Sequence, residues 1–222
     1  MRGCQTAGRC TGIRRCDIAI TNGYCTLAEA RTEVGITGVS DTADDAVLEA
    51  IVESVSRAID DFCGRRFYAA TETRYYTARK SRRLLVDDLL SITTLKTDDD
   101  ADGTYETTWA ATDYNLAPYN AQLAPVPEPY WEIEVSENGD YWFPTGTIKG
   151  VQVVGSWGFS ATTPDVINRS CLFQVAQEFR TRHAPLGIQG SGDMQVEIRG
   201  IGLHPFVKRL LSTGPYRRID VS

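Results

Sequence analysis

The longest helical pattern in the chain is TADDAVLEAIVESVSRAIDDFCG, residues 42–64. Its large apolar side chains recur in steps of three and four residues, so they share one face of a helix and can be buried together. Acidic residues precede them, where the positive end of a helix dipole favours them, and a glycine follows the last turn. We therefore predict a helix over residues 42–63. Its apolar stripe consists of Leu48, Val52, Val55, Ile59 and Phe62.

Two other segments carry the start signals of helices. Thr26-Leu27-Ala28-Glu29 has the form of a capping box, in which the threonine hydroxyl and the glutamate carboxylate accept from each other's backbone N–H groups. Thr163-Pro164-Asp165 offers a hydroxyl N-cap, a proline at the first helical position and an acid in the first turn. These signals predict helices over residues 26–35 and 164–183.

The region between the second and third helices, residues 65–160, has the pattern of β-strands. Thr, Tyr, Val and Ile alternate there with polar residues, and turn signals such as Asp102-Gly103 and Thr145-Gly146 separate the runs. Prolines clustered between residues 118 and 129 predict a loop between hairpins, because proline cannot donate to a ladder. The sequence therefore predicts an α+β fold, a small helical bundle with an inserted antiparallel β region.

The two ends of the chain lack this organisation. Residues 1–23 are polar, rich in Gly and Arg and without helical or strand periodicity, so we predict an N-terminal arm or extension. Residues 24–192 form the main domain. Residues 193–222 follow a glycine-rich loop and hold a short strand, a short helix and a polar tail, which together we predict to be an extended C-terminal arm.

Composition limits the kinds of partner. The chain has 23 Lys and Arg against 29 Asp and Glu, a net charge of -6, which is the wrong sign for a protein whose main task is to grip nucleic acid. No apolar run approaches the roughly 20 residues of a membrane span, and the N-terminus lacks the apolar region of a signal peptide. We expect a cytosolic protein without a membrane partner.

The cysteines give no clear metal or disulfide pattern. Cys4, Cys10 and Cys16 repeat every six residues, without Cys-x-x-Cys spacing or a nearby histidine. Cys63 and Cys171 fall in helical patterns, where a free thiol behaves as a small buried hydrophobe. Reduced thiols without a function are the favoured interpretation, and a metal site or disulfide near the first three cysteines is the alternative.

An acidic stretch gives a near match to a calcium loop. Asp98, Asp100, Asp102 and Gly103 fit the opening positions of an EF-hand, but the twelfth position, which needs a bidentate glutamate, is Trp109. The flanks also have strand rather than helix patterns. We predict a solvated hairpin turn and no metal site.

No motif predicts catalysis or a cofactor. His183, near a helix end, and His204, predicted as an ordinary surface residue, lie outside any acid-base or metal motif. Gly187, Gly190 and Gly192 lack the Lys-Ser/Thr that completes a phosphate-binding loop. We therefore predict a protein that is not an enzyme and has no cofactor.

The chain has one basic cluster, followed at once by apolar residues and then by two aspartates. Such a run is usually a solvated strand or turn, and its functional interpretation is pairing with an acidic surface on the same chain, on a neighbouring subunit or on DNA phosphate. We predict an intersubunit contact. The residues are Arg79, Lys80, Arg82 and Arg83.

Three segments, taken in order, resemble the head-tail connector (adaptor) family of tailed bacteriophages. The first runs over residues 24–67 and ends in DDFCGRRF. The second is LLVDDLLSIT, residues 84–93, ahead of DYNL, residues 113–116. The third is GSWGFS, residues 155–160, which leads into the third helix. Each segment alone is common, and their order and spacing carry the resemblance. Residues 1–23 and the tail after residue 205 depart from the family pattern.

The resemblance implies a structural virion protein without an active site, made in the host bacterial cytoplasm and located in the neck of the particle, at the head-tail interface. Copies would form a homo-oligomeric ring, a dodecamer of about twelve subunits, under the portal protein. The ring would extend the DNA channel and dock the next neck or tail protein. DNA would pass without sequence-specific binding, and acidic positions such as Asp98 would face the channel or the outside.

In related proteins the C-terminal segment often inserts into the portal, so residues 193–222 are the predicted portal contact. Deletion of residues 205–222 should then leave a folded subunit that no longer docks. The contact residues are Pro205, Phe206, Lys208, Arg209, Tyr216, Arg217 and Arg218.

Three alternatives stay open. A tail-completion or other neck protein would have a similar architecture and differ in the partner that it binds. An enzyme of the cell wall or of DNA processing would need a cluster of titratable residues, which the sequence does not show. A soluble binding module would stay monomeric in the presence of a portal.

Overall fold

The computed structural model confirms an α+β fold with an antiparallel sheet. The helices are α1 (Leu27–Val34), α2 (Asp45–Cys63), α3 (Asp165–Arg182) and α4 (Pro205–Ser212). The strands of the sheet are β1 (Ala70–Tyr76), β2 (Arg83–Thr97), β3 (Thr107–Thr108), β4 (Tyr114–Ala117), β5 (Tyr130–Val135) and β6 (Val151–Trp157). A separate hairpin is formed by β7 (Ile188–Gln189) and β8 (Val196–Glu197). The structure describes residues 20–36, 38, 42–137, 139–182, 188–189, 196–197 and 202–218.

The capping and termination signals predicted from the sequence are present at the helix ends. Glu29 N–H donates to Oγ1 of Thr26 at 3.2 Å, and Thr26 N–H donates to the Glu29 carboxylate at 2.7 Å, so the capping box is confirmed. Gly35 and Gly64 end α1 and α2 in the left-handed conformation, where a side chain would be strained. Helix α2 begins at Asp45, three residues after the predicted start.

The helices pack around one apolar core. The stripe of α2 faces this core as predicted, except that Cys63 rather than Phe62 is fully buried in the last turn. Helix α3 contributes Ile167, Cys171 and Val175, which are also buried. The three described cysteines of the core, Cys25, Cys63 and Cys171, are free thiols. Burial raises the pKa of Cys63 to about 12, which keeps this thiol protonated and inert.

The β region forms one antiparallel sheet in the order β1-β6-β2-β5-β4, with β3 paired to the end of β2. Strand β2 connects its two parts, because residues 83–89 pair with β5 and residues 89–97 pair with β6. The register shifts near Leu89, where the pairing changes. Such irregularities bend a strand. One face of the sheet is buried over a second apolar core, which includes Leu84, Val86, Ile133 and Trp157.

The two cores meet where β6 leads into α3. Gly158 N–H donates to the carbonyl oxygen of Asp88 at 2.9 Å, and Phe159 N–H donates to that of Arg66 at 2.7 Å. Phe159 then packs in the helical core against Phe67, with ring centroids 5.3 Å apart. The GSWGFS segment therefore joins the sheet to the helices.

Part of the predicted C-terminal arm belongs to the helical core and is not extended. Leu203, Val207, Leu211 and Tyr216 are all buried there. The prediction that residues 205–222 can be deleted from a folded subunit is therefore wrong, because the deletion would open that core. Most residues of the other arm, residues 1–19 with Cys4, Cys10 and Cys16, lie outside the described residues, as do His183, Gly187, Gly190 and Gly192.

His204 is not an ordinary surface residue. Its Nδ1 accepts from Phe206 N–H at 3.2 Å, which caps the N-terminus of α4, and its ring lies 5.1 Å from that of Phe173.

In the described part of the chain, no helix has the length and apolar character to cross a membrane.

Candidate interaction surface

The basic cluster lies in the turn between β1 and β2 and at the start of β2, and all four of its side chains are exposed. Arg83 pairs with Glu134 at 2.8 Å, and the Arg82 guanidinium lies 5.1 Å from the centre of the Trp142 ring. Among the described residues, no ion pair forms with Arg79 or Lys80. Half of the cluster is thus used within the chain, and the other half is available to a partner.

The predicted portal residues include both exposed and buried side chains. Pro205, Lys208 and Arg209 are exposed on α4, whereas Tyr216 is only 6% exposed and packs on Phe67 and Phe159. Tyr216 therefore supports the helical core and presents little surface to a partner. Arg217 and Arg218, which follow it, are exposed.

The structure brings the two basic sets to one place, on either side of Leu85. A groove of about 430 Å³ lies between the β1–β2 turn and Leu85, and it is lined by Arg79, Lys80 and Arg83. A second groove of about 600 Å³ lies between Leu85 and the segment after α4. Its lining includes Trp131, Glu128, Arg217 and Arg218. We call these two grooves together the Leu85 surface.

Strand geometry forces Leu85 outward. Successive side chains of a strand point to opposite faces, so Leu84 and Val86 enter the sheet core while Leu85 faces solvent. Leu85 is 67% exposed, and Trp131 is 45% exposed beside it. Exposed large apolar side chains next to arginines are the composition of protein interfaces. This grouping could not be predicted from the sequence, because it arises from strand pairing and from the packing of the C-terminal segment.

The Leu85 surface is basic on an acidic protein. Its lining holds six cationic side chains against three carboxylates, and Asp87 and Glu134 next to the lining pair with Arg218 and Arg83, so a small positive excess remains on a chain whose net charge is -6. The cations are Arg65, Arg79, Lys80, Arg83, Arg217 and Arg218, and the carboxylates are Asp88, Glu128 and Glu132. An acidic partner fits this distribution of charge.

A network of ion pairs fixes one side of this surface. It lines an adjacent cleft of about 720 Å³ at the junction of the helices and the sheet. Arg218 pairs with Asp87 at 3.1 Å, Asp87 with Arg74 at 3.0 Å, and Arg74 with Glu72 at 2.8 Å. Burial raises the pKa of Asp88, against the attraction of Arg65 at 3.6 Å. The cations and carboxylates of the cleft are thus largely paired with one another.

The strongest pair of the network predicts a pH-dependent stability. Arg66 donates two hydrogen bonds to the Glu72 carboxylate, which lowers the pKa of Glu72 to about 2. A carboxyl whose pKa is lowered by folding stabilises the protein above its unfolded pKa, and this contribution disappears as the pH falls through the folded value. Because the Glu72 side chain is 35% exposed, solvent screening reduces the effect.

We expect Glu72→Gln to lower the free energy of unfolding by about 1 kcal/mol at pH 7. The difference from the natural protein should shrink below about pH 4.5 and vanish only below about pH 2, where Glu72 becomes neutral like the glutamine. Urea unfolding curves across this pH range measure it. A difference that stays constant with pH would show that the carboxylate charge plays no part.

The acidic stretch forms the turn between β2 and β3, as predicted. The buried Asp98 carboxylate accepts from the N–H groups of Ala101 at 2.8 Å and Gly103 at 3.0 Å, so the turn satisfies it without a cation. Oxygens of Asp98, Asp100 and Glu106 lie within 4.8 Å of one another, but the last two are exposed. The arrangement is that of a solvated turn.

Comparison with known proteins gives a likeness of fold. No family model matches the chain, and no curated protein sequence matches it. A chain from the neck of an empty gene transfer agent particle, computed with C6 symmetry, is similar at a TM-score of 0.55 and 21% identity, over 92% of this chain and 94% of that chain. A chain from the virion of a native gene transfer agent particle is similar at a TM-score of 0.56 and 22% identity, again over 92% of this chain and 94% of that chain. The protein therefore shares its fold with chains of these particles.

Proposed function

We propose that this protein is a structural, non-enzymatic component of the neck of a phage-like particle. One observation carries the proposal: the shared fold extends over 92% of the chain and 94% of chains from a gene transfer agent neck and virion. The likeness covers nearly the full length of both chains, so the proposal is an analogy from the whole fold rather than from one motif. The ordered segments that resemble bacteriophage connectors point to the same role.

Within the neck, we assign it to the adaptor position, as a ring beneath the portal protein that extends the DNA channel and docks the next neck or tail protein. A closed ring of about twelve copies is compatible with the C6 symmetry with which the neck of the similar particle was computed. The net charge of -6 suits a channel that DNA must slide through, because it limits the grip on phosphate. The protein would be made in the host bacterial cytoplasm and end in the virion.

The contacts are assigned to exposed basic residues. Pro205, Lys208 and Arg209 on α4 are the proposed contact with the portal. Arg79 and Lys80 are the proposed contact with another subunit of the particle, since they have no ion pair within the described chain.

Electron microscopy tests this assignment. The purified protein is mixed with portal rings of the same phage, and the assemblies are compared with portal rings alone. An added ring below the portal, with six or twelve copies counted in the average, is the expected result. Bare portals, together with protein that decorates tail tubes, would favour a tail-completion protein. Protein that stays monomeric would favour a binding module.

The double variant Lys208→Glu/Arg209→Glu gives a matched test of the portal contact. Both side chains are exposed, so the fold should be kept while docking is lost. The control is Arg169→Glu/Arg180→Glu, which makes the same change of charge at exposed positions of α3. Equal docking by both variants would exclude α4 as the contact.

A further inference from the structure

We propose that the Leu85 surface binds an extended acidic segment of another polypeptide of the particle, anchored by a large apolar side chain between Leu85 and Trp131. This inference rests on the proposed function and names the chemistry of one partner. Two basic sets, far apart in the sequence, flank one exposed leucine.

The apolar centre calls for a side chain rather than a phosphate. Leu85 and Trp131 present exposed apolar area that DNA phosphate cannot cover. A polypeptide supplies both an apolar anchor and separate carboxylates. Central apolar anchors surrounded by arginines are the usual energetic centre of such interfaces.

The cations at the two ends suit carboxylates on both sides of that anchor. Arg79 and Lys80 line one groove, and Arg217 and Arg218 line the other. Arg218 is held by Asp87 at 3.1 Å, so it is positioned before a partner arrives. A segment lying along both grooves would pair at each end and bury its apolar side chain at Leu85.

A second copy of this chain fits less well. Its acidic turn after β2 lies next to the segment that holds Ile148, because Asp98 N–H donates to the carbonyl oxygen of Gly150 at 2.9 Å. Ile148 is 82% exposed. That region adjoins the Leu85 surface, because Lys149 N–H donates to Oγ1 of Thr77 at 2.9 Å and Thr77 lines one groove. Patches that adjoin on one chain favour an isologous two-fold contact, which differs from the head-to-tail contact of a ring. The partner is therefore a different polypeptide.

The test places a photo-crosslinker at the centre of the surface. Leu85→p-benzoylphenylalanine replaces the natural protein in cells that produce particles, purified particles are irradiated, and mass spectrometry locates the cross-link. The expected product joins residue 85 to an apolar residue that has acidic neighbours in another particle protein. Leu123→p-benzoylphenylalanine, at a position that is also exposed but not in either groove, is the control.

A charge reversal completes the test. Arg79→Glu/Lys80→Glu should lower the yield of this cross-link roughly tenfold, whereas Arg169→Glu/Arg180→Glu should leave it unchanged. Cross-links only to a second copy, only to DNA, or to nothing would overturn the inference. If the protein is absent from purified particles, the proposed neck function fails instead, so the two failures are distinguishable.

Discussion

The Gly158→Ala protein is expected to lose at least about 4 kcal/mol of unfolding free energy, an effect at the extreme end for a single substitution. Gly158 has a φ of +138°, a conformation that side chains rarely adopt, and an added Cβ would lie 2.1 Å from the carbonyl oxygen of Tyr68. The backbone cannot move away cheaply, because Gly158 N–H donates to Asp88 and the next residue enters the helical core. Urea unfolding followed by tryptophan fluorescence measures the loss.

Gly146→Ala separates backbone strain from the clash. Gly146 also has a positive φ, +89°, but no atom lies within 4 Å of an added Cβ. This variant should lose only about 1 kcal/mol, the lower end of the cost of a left-handed alanine. Similar losses in the two variants would mean that close approach to Tyr68 does not limit position 158.

Tyr216→Ala is expected to lose about 3 to 4 kcal/mol, as truncation of a buried aromatic side chain usually does. The Tyr216 ring packs 6.2 Å from that of Phe67 and 5.7 Å from that of Phe159. These two residues lie where the helices meet the sheet, so the cavity would open at the junction of the two cores. Thermal and urea unfolding measure the loss.

Lys208→Ala is the control for Tyr216→Ala, since Lys208 is exposed on α4 and should change stability by less than about 0.5 kcal/mol. If Tyr216→Ala is as stable as this control, the C-terminal segment does not belong to the core. Loss of docking by a truncated protein would report loss of folding, so only substitutions of exposed residues can test a portal contact.

The helices were predictable because their signals are local. Each signal acts within a few residues of sequence and has the predicted effect. The signals are the capping box at Thr26, the glycines after α1 and α2, and apolar residues that recur every three or four positions in α2. The antiparallel character of residues 65–160 was predictable for the same reason, since alternation and turn signals are also local.

Strand order and register were not predictable. Strand β2 pairs with β5 over its first half and with β6 over its second, and nothing in LLVDDLLSIT specifies either partner. The glycine that opens the GSWGFS segment is nevertheless explained once the sheet is known. Gly155 is needed because a Cβ there would lie 2.3 Å from the carbonyl oxygen of Ser91 on β2.

The sequence by itself determined the fold class, the positions of three main helices and the presence of one basic cluster, because periodicity, capping and charge are properties of neighbouring residues. Only the tertiary structure decided that Tyr216 is buried in the helical core and that Arg79 and Lys80 lie on one side of Leu85 and Arg217 and Arg218 on the other. Those facts depend on which distant segments pack together. Packing minimises the exposed apolar area of the whole chain, and no local pattern encodes the result.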